Sequence, residues 1–155
     1  MKKTISFLVV CLLLTAINVN AQNVGTKLTA AETPTPANVL KWAAEFERKA
    51  DSGGLGQKLQ YQLSEANNAY QKEKDVYVTA LKKVKEIKAK GSRLTKREAE
   101  AYNTWFTTNA NAVIGTCLEQ NPGSECCFSC KGGGHGWNRM WCMANCFVAR
   151  FPGIN

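Results

Sequence analysis

Six of the chain's seven cysteines fall between Cys117 and Cys146, in a run that reads CLEQNPGSECCFSCKGGGHGWNRMWCMANC. No other feature restricts the fold so tightly. Cysteines this dense either bridge one another or hold a metal, and both tie the segment to itself. They are 6 of the 39 residues from 117 to 155, about 15%. A disulfide scaffold is marked by a level of about 8–10%. Six cysteines allow 15 pairings, and spacing alone selects none. Cys142 and Cys146 are four apart, so on a helix they share a face and each must reach a partner on an opposing segment. Cys117, Cys126, Cys127 and Cys130 are those partners, the last three on what reads as a loop. With all six bridged, Cys117 to Cys146 is a staple for a segment too small to hold itself together with its own core.

The seventh cysteine, Cys11, lies in a stretch with a different job. Lys2 and Lys3 precede an apolar run from Ile5 to Ile17, and Val19-Asn20-Ala21 follows with small residues. That is the pattern of a secretory signal peptide over 1–21, cleaved near Ala21. The product is expected in the periplasm or outside the cell, where disulfides are the default. Its 134 residues suit one modest domain. They carry 18 basic and 12 acidic side chains, a net charge of +6. Nothing downstream is apolar over a length that spans a bilayer, so no integral membrane protein is expected.

Residues 22–35 are small, polar and Thr-rich, and read as a flexible arm. Thr35-Pro36 is a helix start, a capping hydroxyl followed by proline at the first helical position. A helix over 36–51 follows, with Val39, Leu40, Ala43, Phe46 and Ala50 at three- and four-residue steps. Ser52-Gly53-Gly54 stops it. A second helix, over 57–90, carries Leu59, Leu63, Ala66, Tyr70, Tyr77, Leu81, Val84 and Ile87 on one stripe, missing a beat at Glu73. The stripe predicts a coiled-coil-like rod about 50 Å long. A third helix, over 96–118, opens on a T-x-x-E capping box, Thr95 with Glu98. A short helix over 138–149 ends the pattern. The fold class is mainly α: an antiparallel helical hairpin or three-helix bundle over 36–118, closed by a small disulfide-rich cap over 119–155.

Two local resemblances touch the cysteine run. Cys127-x2-Cys130-x4-His135 resembles the first three ligands of a retroviral-type zinc knuckle, with two more residues before Cys142 than that family places before its last cysteine. The resemblance implies zinc on Cys127, Cys130, His135 and Cys142. The stretch Cys127 to Gly134 is also similar to a single CxxCxGxG repeat of the J-domain co-chaperones, a family that pairs such repeats around each zinc. A redox reading of Cys127-x2-Cys130 finds no βαβ context. His135 has no acid between 126 and 155 to orient it, so no catalysis and no cofactor are expected.

Trp137, Arg139, Trp141 and Arg150 form a cationic, aromatic patch, the candidate interaction surface. Residues 72–97 add ten Lys or Arg against three acids. Both favour an anionic partner: a protein, lipid headgroups or a cell-envelope polymer. Export disfavours nucleic acid. The leading expectation is a non-enzymatic exported protein with a disulfide-stapled interaction module. One alternative is a membrane-active or toxin-like effector acting through 126–151. Another is a zinc-binding module. The stripe on the second helix equally suits a homodimer.

Overall fold

The computed structural model describes residues 33–62 and 68–150. The expected leader, nearly all of the arm, Leu63 and Ala66 of the stripe, and residues 151–155 lie outside the described residues. Among those described are six α-helices and no strand: α1 (Pro36–Ser52), α2 (Leu55–Gln62), α3 (Asn68–Lys90), α4 (Lys96–Gln120), α5 (Glu125–Lys131) and α6 (Gly136–Ala149). The mainly helical class and the cysteine-rich C-terminal region are as the sequence predicts.

Local chemistry sets the helix ends. The Thr35 hydroxyl accepts from the Asn38 N–H at 3.2 Å and Pro36 occupies the first turn of α1. Val39, Trp42, Ala43, Phe46 and Ala50 then face inward. Each large side chain fully buried in this way contributes about 1.5–3 kcal/mol. At the far end Gly54 takes a φ of +61°, which a side chain resists.

The rod expected over 57–90 is two helices. α2 packs against α3, α1 and α6. In one straight helix, Gln62 and Asn68 would stand about 9 Å apart along the axis and the two pieces could not touch. Periodicity cannot show such a break, because α2 and α3 each bury one stripe: Leu55 and Leu59 on α2, Tyr77, Val84 and Ile87 on α3.

A 3₁₀ turn, Gly91–Arg93, carries the chain from α3 to α4. The capping box then forms as expected. Glu98 accepts from the Thr95 N–H at 2.9 Å, the Thr95 hydroxyl at 2.9 Å and Lys90 Nζ at 2.8 Å. Lys90 first, then the Thr95 backbone and hydroxyl, hold the Glu98 pKa down at about 2 from an ordinary 4.5. A carboxylate with a depressed folded pKa adds stability that is complete above its ordinary value and fades as pH falls toward the folded one. Stability is therefore expected to fall between about pH 4.5 and about pH 2, and Glu98→Gln to flatten that limb. Urea midpoints at about pH 7 and about pH 3 check it. An equal drop in both proteins would show that the box is not the acid-sensitive element.

α6 is the centre of the fold. It lies along α4, its most extensive partner, and also meets α1, α2, α3 and α5. Trp137, Met140, Met143, Ala144 and Phe147 are all buried. The disulfide-rich C-terminal segment thus contributes its last helix, α6, to the main core.

Candidate functional site

The cysteines on the expected loop are helical. Ser124 caps α5 by accepting from the Cys127 N–H at 3.4 Å, and Cys126, Cys127 and Cys130 follow on its turns. The bridges are Cys117–Cys127, Cys126–Cys146 and Cys130–Cys142, with Cα–Cα separations of 6.1, 5.9 and 5.4 Å. The first fastens α5 to the end of α4. The other two are neighbouring rungs between antiparallel α5 and α6, and Cys130 Sγ lies 3.4 Å from Cys146 Sγ across the rungs. Among the described residues, the one group of three His, Cys, Asp or Glu ligand atoms within 4.8 Å of one another is Cys130, Cys142 and Cys146. It contains neither Cys127 nor His135.

His135 opens α6, and its ring stacks on Trp42 with centroids 4.8 Å apart. Trp137 stacks on Phe106 at 3.6 Å, and its indole N–H donates to Asn103 Oδ1 at 3.3 Å. Trp141 meets Phe46 edge-on at 5.8 Å. These rings join α1, α4 and α6. Around them, Trp42, Glu45, Lys49, His135, Asn138 and Trp141 line a notch with room for about one water molecule. Glu45 accepts from Lys49 at 2.7 Å, and that bond holds its pKa below the usual carboxylate value.

Of the patch expected at Trp137, Arg139, Trp141 and Arg150, Trp137 is buried and the other three are half-buried. Arg150 reaches back to α3, where its Nη2 donates to Glu73 Oε1 at 2.5 Å. The Tyr77 hydroxyl donates to the same oxygen at 2.7 Å. Burial, then the Glu73 charge, raise the Tyr77 pKa well above its ordinary value, so the phenol keeps its proton. The missed beat in the stripe is therefore a buried carboxylate with two donors. Its only signal in the sequence was an acid at a core position. Lys74 beside it is also covered, and desolvation lowers its pKa.

The cations of 72–97 divide into two sets. Lys88 pairs with Glu47, Lys90 with Glu98, and Lys96 more loosely with Glu100 at 3.9 Å. Lys83 Nζ sits 5.2 Å from the Trp105 ring centroid and 5.6 Å from that of Tyr102, tying α3 to α4. Lys82, Lys85 and Arg97 are exposed, and no carboxylate among the described residues forms an ion pair with them. Arg93 is exposed at the turn between them. No helix among the described residues is long and apolar enough to cross a membrane. Compared with known proteins, the chain matches no family model, no curated protein and no solved structure.

Proposed function

We infer that this is a non-enzymatic exported binding protein. Its disulfide-braced helical body presents the basic edge of α3 and the α3–α4 turn to a surface dense in anionic groups. The observation that carries this reading is the set of exposed cations, Lys82, Lys85 and Arg97, with no carboxylate among the described residues paired to them. Three bridges support export, because such bonds persist in oxidising compartments. The shared chemistry of the partner is repeated negative charge, on lipid headgroups or on a cell-envelope polymer.

A surface-held cation is worth about 1 kcal/mol toward an anionic membrane. Lys82→Gln/Lys85→Gln/Arg97→Gln is therefore expected to weaken binding by about 100-fold at low salt, with the unmodified protein itself binding less tightly as salt rises. Co-sedimentation with vesicles rich in anionic lipid, beside binding to a soluble anionic polymer, distinguishes the two sources. Equal binding to zwitterionic vesicles, or an unchanged triple variant, would end the proposal.

A membrane-active role for 126–151 has less support. Trp137, Met140 and Phe147 are in the core, so insertion would require α6 to leave it. Phe128, 55% exposed, is the single large hydrophobic residue on the surface among the described residues.

A further inference from the structure

We propose that, with its two α5–α6 rungs reduced, the chain holds one thiophilic closed-shell cation, Zn²⁺ or a chemical equivalent, on Cys126, Cys130, Cys142 and Cys146. The arrangement is two Cys-x3-Cys turns facing each other on antiparallel helices. Cys126 stands opposite Cys146, and Cys130 opposite Cys142. Residues four apart share a helix face, so each helix turns its two cysteines toward the other, and Cys126, outside the close group of three, joins it by rotating its side chain once its rung is open. The sulfurs of Cys130, Cys142 and Cys146 already lie within 4.8 Å of one another, and Cys130 and Cys146 are 3.4 Å apart without a bond. A tetrahedral ion with metal–sulfur bonds of about 2.3 Å needs its sulfurs about 3.8 Å apart. Opening the two rungs moves bonded sulfurs apart toward that spacing while the unbonded pair hardly moves. An all-sulfur set selects soft or borderline cations over hard ones.

The chemistry balances. Each rung takes two electrons from a phosphine and two protons from water, whose oxygen leaves on the phosphine oxide, and becomes two thiols. The four thiols release their protons as they bind the cation. The helices stay together meanwhile by packing: α6 is held by Trp137, Met140, Met143 and Phe147 in the core, and α5 lies against both α4 and α6.

The test uses the full chain, reduced with a water-soluble phosphine, loaded with zinc without oxygen and desalted. Retained zinc and the far-ultraviolet circular dichroism are measured together. The reduced chain is expected to keep one zinc with the helical signal of the oxidised protein, and the oxidised chain none. Cys117→Ser/Cys127→Ser and His135→Ala should each keep the ion, and Cys130→Ser/Cys142→Ser should lose it. No retained zinc on the reduced chain overturns the proposal. So does zinc kept by Cys130→Ser/Cys142→Ser, zinc lost in His135→Ala, or zinc bound without the helical signal.

Discussion

Gly136→Ala is expected to destabilise the protein by about 3 kcal/mol, the upper end of what overpacking a core costs. Gly136 is buried where the first turn of α6 crosses the middle of α4. A Cβ there would lie 2.5 Å from Thr107 Cα and 2.8 Å from Thr107 N. These are backbone atoms, so no side-chain rotation relieves the clash and one helix must move. α6 cannot move alone, because two disulfides and the buried Trp137 hold it. Gly115, inside α4, is the control: a Cβ there meets nothing within 4 Å. Gly115→Ala is expected to stabilise by about 0.5–1 kcal/mol through helix propensity. Thermal melts should therefore shift in opposite directions, with Gly136→Ala lower by roughly 10 °C. A Gly136→Ala protein as stable as the parent would show that the two helices are not in backbone contact.

Glu73→Leu is expected to cost about 2–3 kcal/mol, by stranding two donors. The Glu73 side chain is 6% exposed, and it is held by Arg150 and the buried Tyr77 hydroxyl. Without the carboxylate, Tyr77 keeps a buried O–H with no acceptor and Arg150 loses its counter-charge. Removing one partner of a buried pair costs about 3–5 kcal/mol. Arg150 retains 23% exposure, so water recovers part of that. Replacing both partners by apolar groups is far less costly than replacing one. Glu73→Leu/Arg150→Met should consequently be more stable than the sum of the single changes predicts, by at least about 1 kcal/mol. Strict additivity in urea unfolding of the four proteins would mean that the pair carries no coupling.

The capping signals were legible because they are local. Thr35-Pro36 and Thr95 with Glu98 need only three or four residues to act, and both form as written. The inward face of α1 was legible for the same reason. α5 was hidden. Its seven residues, ECCFSCK, include three cysteines and a serine, which are poor helix formers. Partners on α4 and α6 hold it as a helix, and Ser124 caps its first turn. The place of α6 was hidden more deeply. Its aromatics matched a small local core as well as they match the shared one, and periodicity does not say which helix a face will meet. The pairing Cys126–Cys146 and Cys130–Cys142 was equally out of reach, since it follows from α5 and α6 running antiparallel. The basic run was visible in composition. Which of its cations would find carboxylates depended on Glu47, far away in sequence on α1.

The central position of α6 has a consequence in the order of synthesis. α6 follows every other described helix along the chain. Trp42 and Phe46, made 95 residues earlier, find Trp137 and Trp141 only when it emerges. Glu73 must wait 77 residues for Arg150. A nascent chain lacking α6 therefore has no complete core on which to settle. The cysteines that lock the result arrive with the same late segment, so closure and completion coincide.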